Sequence, residues 1–184
     1  EKMLERFLNK IKKDKFQSAR VIICVPSGVT QVERRAVMDV VKDSGAKEVY
    51  LVEEPVAAAI GAGIDIFEPK GHMIIDIGGG TTNIAIFNRG DIEDTTCLDI
   101  GGRLIKLDGS GKISYIYKKI YDVAKDVGVS INIGDRADET ALRKICRRMG
   151  ELMFESMGFF EKTDLYREIV TYQDFKKNFK PDYY

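Results

Sequence analysis

Residues Gly71 to Phe87, GHMIIDIGGGTTNIAIF, constrain this chain more than any other stretch. An apolar run, Met73-Ile74-Ile75, meets an acid at Asp76. Three glycines follow (Gly78, Gly79, Gly80), then Thr81 and Thr82, then a second apolar run from Ile84 to Phe87. Two β-rich segments joined through glycines predict a hairpin. Three glycines together cost backbone entropy, which points to a tight bend or to something approaching the backbone closely. Without side chains in the way, successive N–H groups can converge on an anion. Thr81 and Thr82 would add hydroxyl donors, and Asp76 could hold Mg²⁺ through water beside a phosphate. No Lys follows the glycines and the next element is a strand, so this is not a Walker loop. A triple glycine by itself reads first as a plain hairpin with a solvated turn, and it is the whole string that points to a phosphate site.

Composition narrows the classes. At 184 residues with 44% hydrophobic and 32% charged, the chain suits one domain or two small lobes with a packed core. Basic and acidic residues balance at 29 each, so no global field favours nucleic acid or an anionic membrane. The runs Lys10 to Lys13 and Arg143 to Arg148 lie on helical patterns and are expected as solvated faces. Cys24, Cys97 and Cys146 lack metal spacing. Cys24 and Cys97 sit in apolar strand patterns and are expected as buried free thiols in a reducing cytoplasm. No apolar run approaches the ~20 residues of a membrane span, so membrane contact would come through other regions. The chain opens on EKMLERFL without an initiator Met, as a piece of something longer would.

In order, the apolar spacing predicts an amphipathic helix over 2–13 and a strand over 20–25 ending at Pro26. Thr30 with Glu33 is a capping box opening a helix that Gly45 stops. A strand over 47–52 meets Glu53-Glu54 and then Pro55 in the first turn of a small-residue helix ended by Gly61 and Gly63. After the hairpin come a strand over 95–100 and the glycine pair Gly101-Gly102. Helices are expected over 113–127 and 138–157, with their Met and Tyr positions facing the core; residues 158–184 show no clear period. Strand–helix–strand–helix followed by a β-meander is the pattern of an α/β domain with a mixed sheet. The only histidine, His72, is expected as a half-exposed strand residue, which leaves no Ser-His-Asp set and no Cys/His cluster.

The string D-I-G-G-G-T-T resembles the second phosphate loop of the superfamily of actin, sugar kinases and heat-shock chaperones. From about residue 1 to 86 the chain resembles the bacterial actin MreB, through VIICVPSGVTQVERRAV (21–37), AKEVYLVEEPVAAAIGAGI (46–64) and GHMIIDIGGGTTNIAI (71–86). This resemblance implies a partial RNase-H-like α/β fold: residues 1–67 in a first lobe, 68–157 as the hairpin and start of a second, and 158–184 unassigned. It implies MgATP binding, self-association into filaments or dimers, and a role in cell shape. Glu54 falls where the family positions its hydrolytic water, Asp76 on the acid near Mg²⁺, and Gly78 to Thr81 around the phosphates. Thr82, Gly101 and Gly102 join them as nucleotide-binding candidates.

Residues 83–108 and 131–152 instead resemble EutA, the reactivating factor of ethanolamine ammonia-lyase and a member of the same superfamily. This suggests a junction between two families near 76–90, and the lyase as an alternative partner. A third expectation is an inactive engineered or truncated scaffold. The superfamily's first phosphate loop, D-x-G-T, and its adenosine motif are not found in the sequence. Phosphate affinity comes from converging donors held in place, so weak or undetectable ATP binding and no useful turnover are expected of this chain alone.

Overall fold

The computed structural model describes residues 2–11, 20–171 and 173–176. They form two compact units, Glu1–Asp65 and Ile66–Tyr184.

The first unit begins with helix α1 (Lys2–Ile11); Lys12 and Lys13 lie outside the described residues. Strand β1 (Arg20–Val25) pairs in parallel with β2 (Glu48–Glu53), in the register Ile22↔Tyr50. Between them runs α2 (Gln31–Asp43), opened by the full capping box of Thr30 and Glu33. Gly45 follows at φ 97°, the left-handed conformation a helix stop requires. Helix α3 (Glu54–Gly61) starts directly from the end of β2. Val41 and Ala46 are buried with Val21, Ile23 and Val49 packed on them. Ile22 and Tyr50 are respectively 69% and 50% exposed, because side chains alternate along a strand and only one face of this pair is covered. Cys24 shares that open side and is exposed, contrary to the burial expected from its apolar neighbours.

The second unit is built on an antiparallel meander. Strands β3 (Gly71–Ile77), β4 (Thr82–Asn88) and β5 (Asp91–Leu98) lie in that order. The parallel and antiparallel strands thus occupy separate sheets. A two-residue turn at Arg89 (φ 54°) and Gly90 (φ 90°) joins β4 to β5. Its twist matches that of the flanking strands, so β5 begins at Asp91 and not at Thr95.

Where a helix was expected from Ile113, a small sheet of β6 (Ile105–Leu107) and β7 (Ile113–Ile116) precedes α4 (Lys118–Asp126). Ile113 and Ile116 fit both periods, but Ile113 bonds backbone-to-backbone with Gly134 and Asp135, which fixes it as strand. Helix α5 (Glu139–Ser156) has Asp138 as its cap. Tyr121 is exposed, unlike the core-facing tyrosine expected there, whereas Met157 is buried. One core gathers Ile84, Leu98, Ile120, Ile145, Leu152 and Tyr166.

The region without a clear period holds α6 (Asp164–Ile169) and then an extended segment along β5. The Thr171 amide donates to Cys97 O, the Thr96 hydroxyl to Gln173 O, and the Lys176 amide to Asp94 Oδ2. Tyr166 is fully buried and its hydroxyl donates to Asp174 Oδ1 at 2.6 Å. Burial, and next this hydrogen bond, push the Tyr166 hydroxyl far above its ordinary pKa. Burial also pushes Asp174 up, but hydrogen bonds from Lys162 and Tyr166 outweigh it and leave the carboxyl below its usual value.

A carboxylate depressed on folding stabilises above its unfolded pKa of about 3.9 and loses that stability as pH falls through the folded value. Below about pH 4 the parent should therefore lose thermal stability more steeply than Asp174→Asn. Equal slopes for the two proteins would refute this role.

Candidate functional site

The glycine turn is shaped by what packs behind it. The Gly78 amide donates to Thr81 O at 2.8 Å, closing the turn between β3 and β4. From the segment after β5, the Gly102 amide donates to Gly78 O and the Arg103 amide to Gly79 O, each at 2.8 Å. Gly101 is buried against the turn: a Cβ there would lie 2.8 Å from Gly78 O and Gly80 C, and 2.9 Å from Gly79 C. None of Gly78, Gly79 or Gly80 has positive φ, so the turn does not require glycine for its dihedrals. Space is the reason at Gly78, where a Cβ would meet Thr81 O at 3.1 Å, whereas Gly80 faces open space.

The amides of Gly79, Gly80 and Thr81 have no backbone partner among the described residues, and both glycines are exposed. With Thr81 these glycines line a cavity of about 460 Å³, together with Asp99, Arg103, Lys106, Tyr115 and Tyr117. The Tyr117 hydroxyl donates to Asp99 Oδ2 at 2.7 Å, which raises the tyrosine's pKa. Lys106 Nζ lies 5.3 Å from the centre of the Tyr115 ring. Neighbouring donors at a concavity that also carries basic side chains can bind an anion. A second cavity of similar volume, walled by Ile77, Leu107, Leu142, Met149 and Met153, is aliphatic and offers an anion no comparable donor set.

The expected site residues take different positions. Gly78 to Thr81 form the turn itself. Thr82 does not face the cavity: it is fully buried, and its hydroxyl donates to Ile100 O at 2.8 Å. Gly101 and Gly102 lie behind the turn and support it. Asp76 is half-buried two residues before the glycines, opposite Asn83, and its carboxylate makes no hydrogen bond among the described residues. Glu54 belongs to the first unit, in the first turn of α3, where a helix N-terminus favours an acid. Its neighbour Glu53 is held by Arg34 at 2.8 Å. His72 is half-buried, with Nε2 lacking a partner among the described residues. Arg103, Lys106, Tyr115 and Tyr117 were absent from the sequence candidates, because no motif spacing joins them to the glycines. No group of three or more His, Cys, Asp or Glu able to hold a metal occurs among the described residues, and no described helix is long and apolar enough to cross a membrane.

Solved structures define the class. The chain matches MreB5 of Spiroplasma citri bound to AMPPNP with a TM-score of 0.60 and 28% identity, over 91% of this chain and 59% of that one. It matches the same organism's MreB5 bound to ADP with a TM-score of 0.50 and 37% identity, over 68% and 33%. The fold is thus that of the actin-like ATPases, present in part.

A family model described as MreB/Mbl protein matches residues 1–146. The cell shape-determining protein Mbl of Bacillus subtilis is 40% identical over 134 residues, covering 71% of this chain and 40% of Mbl. The cell shape-determining protein MreB of Escherichia coli K12 is 47% identical over 104 residues, covering 55% and 30%. The chain belongs to the MreB/Mbl family. It spans less than half the length of these curated relatives. The family match runs through 76–90, where a junction was expected, and through most of the stretch that resembles EutA.

Proposed function

We propose that this chain is the part of an MreB-like, filament-forming ATPase that carries the second phosphate loop. Its weak affinity for MgATP would reside in the turn Gly78–Thr81. The observation that carries this reading is the turn itself: the amides of Gly79, Gly80 and Thr81 have no backbone partner among the described residues, all three residues line a cavity with Arg103 and Lys106, and a Cβ on Gly101 behind them would lie under 3.0 Å from the backbone of the turn. The nucleotide named with each MreB5 structure supports it.

In the assembled protein Asp76 would hold Mg²⁺ through water, and Glu54 would orient the water that attacks the terminal phosphate. Self-association into cytoplasmic filaments and a part in cell shape follow as proposals from the same family. The alternative, a EutA-type reactivase acting on ethanolamine ammonia-lyase, rests on the sequence pattern of 83–152; a family match reaching residue 146 favours the first reading.

A thermal-shift titration tests the proposal. Millimolar MgATP should raise the melting temperature, and ligand at about 100 times its Kd adds about 2.7 kcal/mol. Gly79→Val should abolish the shift while leaving the fold intact, because a Cβ there makes only ordinary contacts with Arg103, the nearest at 3.6 Å. No shift in the parent, or an equal shift in the variant, would reject the turn as a nucleotide site.

A further inference from the structure

We infer that Arg103 and Lys106 make the cavity beside the glycine turn a cationic site that holds a polyphosphate anion without a divalent metal. The inference rests on the nucleotide reading for its location and adds the ligand chemistry. Phosphate sites need positive charge as well as amide donors, and that charge comes from a metal ion or from Lys and Arg.

Here the protein supplies it. The Arg103 backbone is tied to the turn by its amide bond to Gly79 O, and its aliphatic stem runs beside Gly79. Its guanidinium has no carboxylate partner among the described residues, which leaves its fork of donors available. Lys106 has no ion pair either, and the Tyr115 ring holds its ammonium at the cavity wall. Asp99 is the only carboxylate lining the cavity among the described residues, and Tyr117 donates to it. Among the described residues, two cations without ion pairs and three amides without backbone partners therefore share the cavity wall with one acid that is already hydrogen-bonded. Asp76, the acid suited to a metal, is not among the lining residues.

The test uses the full chain with sodium tripolyphosphate, and separately with ATP, both in EDTA, followed by calorimetry at low and high salt. Saturable binding to both probes is expected, weakening as salt rises. Arg103→Ala should weaken it about tenfold, the effect of one lost charge-assisted hydrogen bond. Arg103→Lys should retain most of the affinity. Both basic side chains are exposed, so the variants should keep the parent's circular dichroism. No binding in EDTA, or affinities unchanged in both Arg103→Ala and Lys106→Ala, would overturn the inference. Arg103-dependent tripolyphosphate binding with no response to MgATP would sink the nucleotide reading and keep this one. A MgATP shift lost in Gly79→Val but untouched in Arg103→Ala and Lys106→Ala would do the reverse.

Discussion

Arg148→Ala should destabilise the protein by about 3–5 kcal/mol, as removal of one partner from a buried ion pair does. Glu155 is 2% exposed and accepts from Arg148 Nη1 at 2.6 Å. Its other oxygen accepts from the Thr163 amide and hydroxyl, both at 2.8 Å. Arg148 reaches on to Asp126 at the end of α4 and to the Thr163 hydroxyl at the cap of α6. One guanidinium thus joins three helices. Burial disfavours its charged form, but the hydrogen bonds with Asp126 and Glu155 outweigh this and raise its pKa.

Without Arg148, the Glu155 carboxylate keeps its two bonds from Thr163 but loses its countercharge. The urea midpoint should fall sharply in the single variant. Arg148→Met combined with Glu155→Leu should recover part of the loss, because an apolar pair removes the buried charge altogether. Recovery would be incomplete, since the Thr163 amide and hydroxyl at the cap of α6 then lose their shared acceptor. A midpoint for Arg148→Ala within error of the parent would show that the network contributes nothing.

Gly101→Ala should be the most damaging single methyl addition near the site. Its Cβ would fall within 3.0 Å of three backbone atoms of the glycine turn, and backbone cannot rotate away as a side chain tip can. Overpacking of this kind costs about 1–3 kcal/mol, and relief requires moving the amides that face the cavity. Both the urea midpoint and the response to MgATP should therefore drop. Gly80→Ala is the control, because a Cβ there meets nothing within 4 Å. Parent-like ligand response in Gly101→Ala would mean that the turn keeps its shape without close support from behind.

Local chemistry made much of this molecule legible in the sequence. The capping box at Thr30, the stop at Gly45, the hairpin around Gly78–Gly80 and the long helix after Asp138 each depend on residues close in the chain. The family resemblance carried by VIICVPSGV and DIGGGTT also lies in short contiguous strings. Where two periods competed, as at Ile113–Ile116, backbone partners from Gly134 and Asp135 decided for a strand. Arg148 illustrates the same boundary. Within its run of basic residues it reads as one more solvated charge, and Arg143 and Arg147 do pair with Glu139 and Glu151 on the exposed face. Helical spacing places Arg148 on the same face of α5 as Glu155, but only the packing of α4 and α6 on α5 brings Asp126 and Thr163 to it and buries it.

The site divides along the same line. The sequence by itself determined the turn: which residues bend, and the family to which they belong. Tertiary structure decided everything that reaches the turn from elsewhere: Gly101 behind it, Thr82 directed inward, and Arg103, Lys106, Tyr115 and Tyr117 around the cavity. The physical reason is range. Caps, turns and periodicity act over a few residues, while a cavity wall assembles residues up to 38 positions apart, Gly79 to Tyr117, through sheet pairing and core packing.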